Sequence, residues 1–261
     1  MKLKMIALAA MLAAGSANAA IQDGSAGNGE LFMTVLDSVG LQSYTLDLNL
    51  TMNDFLAGIA VSGASYNYAA DANMTSFLSM VAPANQSGLL FAIGAMDATG
   101  TSVADHHRYI TTASVIDAAT DTNLNLKNLG TNGAQFVSDV NTLIGAANSA
   151  VVTDPAMVAY AGSALWGSNW GNQFNGTSTG LIGNDLGMYL VEQTSGAFAV
   201  RNNLSVYSAL EQNAFPVFAN LDMSGNLTIA AAPVPEAETY AMMLAGLGLV
   251  GFMAARRRSM I

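Results

Sequence analysis

Glu30-Leu-Phe-Met-Thr-Val-Leu-Asp37, a Ser38-Val39-Gly40 step, then Ser43-Tyr-Thr-Leu-Asp-Leu-Asn-Leu50 is the stretch that decides how the main body is read. In its second half Tyr44, Leu46, Leu48 and Leu50 alternate with Thr45, Asp47 and Asn49. That is the period of a strand with one buried face. The intervening Ser-Val-Gly marks a turn, so the two halves read as neighbouring strands. The same grammar recurs downstream. Gly88 to Met96 is a continuous apolar run between turn residues, suited to a central strand. Leu186 to Ser208 reads as strands broken by Thr-Ser-Gly and Asn-Asn turns. Pro216 to Ala231 reads as a last hairpin turning at Ser224-Gly225-Asn226.

Helical signals are fewer. Asn132 to Ser149 places Phe136, Val137, Val140, Leu143 and Ile144 on one face. Asn73 to Val81 suits a short helix, and Thr153-Asp154-Pro155 reads as the capped start of another. The fold class expected is mainly β: a sandwich-like body with a few short helices. No period of 20 to 50 residues indicates a solenoid.

Charge and composition exclude several functions. Between Ala20 and Val234 the bases are Arg108, Lys127 and Arg201 alone, against sixteen acids, a net charge near −13. Nothing there would neutralise phosphates, so neither nucleic acid nor an anionic membrane surface is expected as a partner. The chain has no cysteine. Disulfides, thiol catalysis and thiolate metal sites are therefore excluded.

Both ends are of a different kind. Lys2 and Lys4 precede the apolar run Met5 to Ala14, and Ala17-Asn18-Ala19 forms an A-x-A site. Residues 1–19 thus read as a secretory signal peptide cut after Ala19, leaving a body of residues 20–232. Residues 233–261 form the other end. Pro233 and Pro235 impose an extended linker. Tyr240 to Ala255 carries no charge, and Arg256, Arg257 and Arg258 follow. Sixteen helical residues span about 24 Å, against a hydrocarbon core of about 30 Å. Thr239 and arginine snorkelling extend the reach, so residues 239–255 read as a single transmembrane helix. The arginines keep to the cytoplasmic side, which places Val234 on the side to which a signal peptide delivers the body.

Pro235-Glu236, the Thr-Tyr-Ala entry, the Leu-Ala-Gly-Leu-Gly-Leu-Val-Gly helix and the basic cluster 256–258 together resemble a PEP-CTERM sorting signal. The resemblance implies a Gram-negative bacterium with an exosortase, a membrane protease-transpeptidase that removes such tails. It also implies export with signal peptidase and exosortase as processing partners, transient residence in the inner membrane, and an end point at the cell surface or outside. Association with exopolysaccharide or biofilm matrix is a further implication. Ala237 stands where the family's motif has its second proline. Gly246, Gly248 and Gly251 also spell G-x-G-x-x-G, but no strand precedes them and no ribose-binding acid can follow. Their reading is close packing of a membrane helix.

The body offers few chemical candidates. His106 and His107, the only histidines, are adjacent and point apart, in a segment that reads as a solvated loop. Asp71, Asn73, Asp97, Asp121 and Asp222 are conceivable calcium ligands, but no EF-hand loop is present, so no metal is expected. Trp166, Trp170 and Phe174 recur every four residues among Gly, Ser, Asn and Gln. They are candidates for glycan contact, or else the buried side of a turn. The expectation is a non-enzymatic binding or structural module with no cofactor. The alternative is a secreted hydrolase acting on polysaccharide, which would need a carboxylate pair in a cleft.

Overall fold

The computed structural model describes residues 20–97, 99, 107–114, 122–144, 148–163, 178–193, 206–232 and 247. Two compact units divide the chain, Met1–Ala231 and Ala232–Ile261. Of the second, only Ala232 and Leu247 are among the described residues. Ala17 and Ala19 of the expected signal peptide, the tail residues Pro235, Glu236, Gly246, Gly248, Gly251 and Arg256 to Arg258, and Trp166, Trp170 and Phe174 all lie outside them.

In chain order the first unit contains β1 (Glu30–Asp37), β2 (Gln42–Thr51), α1 (Met52–Ile59), β3 (Ser65–Tyr68), α2 (Ala72–Met80), β4 (Leu90–Asp97), β5 (Arg108–Ala113), α3 (Asn123–Asn141), β6 (Ser149–Val152), β7 (Gly180–Leu181), β8 (Asp185–Glu192), β9 (Val206–Ala209), β10 (Glu211–Gln212), β11 (Phe215–Leu221) and β12 (Leu227–Ala231). The strands follow one hydrogen-bonded path, β3-β12-β11-β8-β5-β4-β1-β2-β6, with β7, β9 and β10 attached to β4, β8 and β11. Neighbours on the path pair antiparallel.

The opening hairpin forms for the reason its sequence suggests. Met33 faces Leu46 and Val35 faces Tyr44 across β1 and β2. The turn between them is held by Asp37, whose carboxylate accepts from the backbone N–H groups of Val39 at 3.1 Å and Gly40 at 2.7 Å. The mainly β expectation is met, but the strands form one continuous curled path in place of two separate sheets. Tyr66, Ile229, Val217, Met188, Phe91, Met33 and Tyr44, drawn from strands along the whole path, meet in one core cluster. Tyr68 donates its hydroxyl to Leu48 O at 3.1 Å, so β3 at one end of the path reaches β2 near the other. Helices α1 and α2 complete the inside: Phe55 packs on Tyr66 and Phe77 on Tyr44, with ring centres 5.5 and 6.3 Å apart.

The alternate strand positions face outward, and α3 covers part of that side. Phe32, Tyr109 and Val191 form a second cluster with Leu129, Phe136 and Val140 of the helix. The phenol of buried Tyr109 donates to Leu126 O at 2.7 Å. The helix runs through the expected Phe136, Val137 and Val140 but begins at Asn123, with Thr122 capping the N–H of Asn125. Leu143 lies beyond its end and is exposed. The helix expected from Thr153 does not form. Asp154 accepts from the N–H of Ala156, and the chain proceeds by three-residue turn bonds through Met157, Tyr160 and Ser163.

Candidate functional site

The first described residues of the body are held in place by side chains from elsewhere in the chain. Ile21 is 2% exposed and packs in the α3 cluster. Asn141 grips its backbone twice: Ile21 N–H donates to Oδ1 and Nδ2 donates to Ile21 O, both at 2.9 Å. Beyond it, Gln22 N–H donates to Glu30 Oε2 at 2.8 Å. Gly24 lies so close to Met96 O, at φ +74°, that any side chain there would collide with the β4 backbone.

His107 is buried and Arg108 opens β5, which corrects the reading of the histidine segment as a solvated loop. The backbone of His107 exchanges hydrogen bonds with Gln193: its N–H donates to Oε1 at 3.3 Å and its carbonyl accepts from Gln193 N–H at 3.1 Å. Gln193 in turn donates to Asn123 O at 2.8 Å, tying this entry to the start of α3. Arg108 opens β5 opposite Asp97 and makes an ion pair with it at 2.9 Å. Burial raises the Asp97 carboxyl, but its hydrogen bonds from Arg108 and Thr99 and the guanidinium charge outweigh that and hold it below the usual value. His106 lies outside the described residues. A shallow depression of about 350 Å³ beside this corner is lined by Asp23, His107, Lys127, Thr131, Gln135 and Ser138.

The described acids considered as calcium ligands already serve the fold. Asp71 caps α2 through Met74 N–H at 2.6 Å and accepts from Ser149 of β6 at 2.5 Å. Asn73 donates to the same serine hydroxyl at 2.9 Å. Asp222 accepts from the N–H groups of Ser224 and Asn226 in the last hairpin turn. Asp121 lies outside the described residues. Among the described residues no group of three or more His, Cys, Asp or Glu is placed to hold a metal.

Asp47 is different. It is 2% exposed, its Oδ1 accepts from Asn49 N–H at 2.8 Å, and its Oδ2 is buried with no hydrogen-bond partner among the described residues. Burial, with Glu30 adding to it, pushes its carboxyl up to about 6 against the Asn49 hydrogen bond. It sits at a bulge where the β1–β2 register shifts and Asn49 takes φ +51°.

The outward side of β3, β12, β11 and β8 was missed in the sequence. Asn67, Thr228, Asn220 and Asp185 stand in one register row across these four strands. Thr228 donates to Asn67 at 3.1 Å and Asn220 to Asp185 at 2.8 Å. The adjacent row is Ser65, Ala230, Phe218 and Gly187. Phe218 and, two residues beyond Gly187, Tyr189 are half-buried. A Cβ on Gly187 would lie 2.9 Å from the Tyr189 ring, so that ring lies over the glycine. The signal was available in Pro216 to Leu221, where Val217, Ala219 and Leu221 are buried and Phe218 and Asn220 alternate with them.

The tail is decided by comparison. Residues 233–258 match the family described as the PEP-CTERM protein-sorting motif. The match spans Pro235, Glu236, the three glycines and the three arginines, a tenth of the chain beginning two residues after the first compact unit ends. A PEP-CTERM motif marks a protein that an exosortase sorts to the cell envelope or surface. No curated protein and no solved structure matches the chain. Among the described residues no helix is long and apolar enough to cross a membrane, and residues 239–246 and 248–255 of the tail are not among them.

Proposed function

We propose that this chain is a non-enzymatic binding or structural module of the extracellular matrix or cell surface, associated with exopolysaccharide. Signal peptidase removes residues 1–19. The tail helix 239–255 then holds the body at the outer side of the inner membrane until the exosortase detaches it. The observation that carries this reading is the PEP-CTERM match at 233–258. The cysteine-free, strongly acidic body agrees with export and solubility and with a partner that is not anionic. The hydrolase alternative would need a carboxylate pair in a cleft. Among the described residues, the depression beside α3 and the one adjoining it at Ala20 to Gly27 share a single acid, Asp23, and the raised Asp47 borders neither.

Cell fractionation tests the route. In a host with an exosortase the body should be recovered at the surface or in the medium. Deleting Pro235 to Ile261 should yield soluble exported protein that never enters the inner-membrane fraction. Body retained in the cytoplasm in both cases would overturn the reading.

A further inference from the structure

We propose that the outward face of β3, β12, β11 and β8 is a binding platform for an uncharged, hydroxyl-rich polysaccharide. The inference rests on the binding-module reading and assigns it a site. Strands stand about 4.8 Å apart, so the row Asn67, Thr228, Asn220 and Asp185 spans roughly 14 Å across the strands. That is the length of a short oligosaccharide lying across the strands. Amides and hydroxyls both donate and accept, as sugar hydroxyls do, and the carboxylate of Asp185 adds acceptors.

The neighbouring row supplies the flat surface. Phe218 stands between Ala230 and Gly187, neighbours too small to cover the sides of its ring. The Tyr189 ring lies over Gly187 and extends the aromatic strip. Rings of this kind present a broad apolar surface with little conformational freedom to lose. The C–H faces of pyranose rings fit such a strip while their hydroxyls reach the polar row. Charge selects among polymers. The outward positions of these four strands carry Asp185 and no base, within a body of net charge near −13, so a polyuronate or nucleic acid is repelled. Helix α3 packs over Phe32, Met96, Tyr109 and Val191 of the same surface, while Asn67, Asp185 and Thr228 of the row are exposed.

The test uses the processed protein secreted by an exosortase-bearing host. Affinity electrophoresis is run in gels holding a soluble neutral β-glucan, a soluble neutral galactomannan or alginate. The wild type should be retarded by a neutral polymer and not by alginate. Tyr189→Ala and Phe218→Ala should each weaken that retardation at least tenfold, and Asn220→Ala several-fold, with melting temperatures within a few degrees of the wild type. If Phe218→Ala does not fold, Phe218→Leu keeps the bulk without the ring and must still lose retention. Neutral-polymer binding that survives all these changes would overturn the platform while leaving the binding-module reading standing. Absence of any neutral-polymer binding would overturn both the platform and the polysaccharide part of that reading. A concentration-dependent dimer abolished by Phe218→Ala would assign the face to a second copy of the chain and overturn the proposal.

Discussion

Asp47 is the residue whose environment departs furthest from what its neighbours in sequence suggest. In the strand pattern it is a solvent-side residue of β2, yet the bulge at Asn49 and the β6 side bury it, and Asn148 O accepts its N–H at 2.9 Å. A carboxyl raised to about 6 in the fold, against about 3.9 unfolded, binds its proton more tightly when folded. The stability linked to that proton is complete below about pH 4 and is lost as pH rises through about 6. Asp47→Asn removes the titration. Denaturant unfolding should therefore show the wild type losing on the order of 2–3 kcal/mol relative to the variant between pH 4 and 7. Parallel pH profiles of the two proteins would refute the buried carboxyl with its unpartnered Oδ2.

At the scale of elements, side-chain hydrogen bonds join pieces that are far apart in sequence. Tyr68 closes the sheet path onto β2, and Tyr109 fastens β5 to α3. Tyr109→Phe leaves the buried Leu126 carbonyl without that donor and should cost about 1–3 kcal/mol by urea denaturation, with little change in far-ultraviolet circular dichroism. Asp71→Ala removes the cap of α2 together with its bond to Ser149. It should cost about 1–3 kcal/mol and raise hydrogen exchange at β6, the end strand of the path, more than at β4. A uniform rise across both strands would argue against a local tie.

These ties also explain what could be read in advance. The hairpins β1–β2 and β11–β12 were legible because alternation and turn residues are local. α1 was not, since Thr51 ends β2 and caps the next helix without any loop. Asp154-Pro155 carried a helix-start signature, but the aspartate side chain closes a turn onto Ala156. The outward polar row was invisible because its four members come from positions 67, 185, 220 and 228, and only strand order brings them together. The tail, in contrast, was legible as it stands: its function depends on an apolar span and a charge cluster, and both are contiguous.

For the whole molecule the tail governs fate. On the proposed route Arg256, Arg257 and Arg258 keep the tail in one orientation, because an arginine at the membrane centre costs about 2.5 to 3.5 kcal/mol on insertion scales. Replacing all three with Asn should let part of the chains pass through uncleaved, seen as full-length tail in the exported fraction. The most direct test of the account is mass spectrometry of the C-terminal peptide of the wild type, made in a host with an exosortase and in one without. The account predicts a chain ending near Pro235 in the first host and, in the second, membrane-bound protein that still carries Arg256 to Arg258. Soluble protein with the arginine cluster attached in both hosts would contradict it.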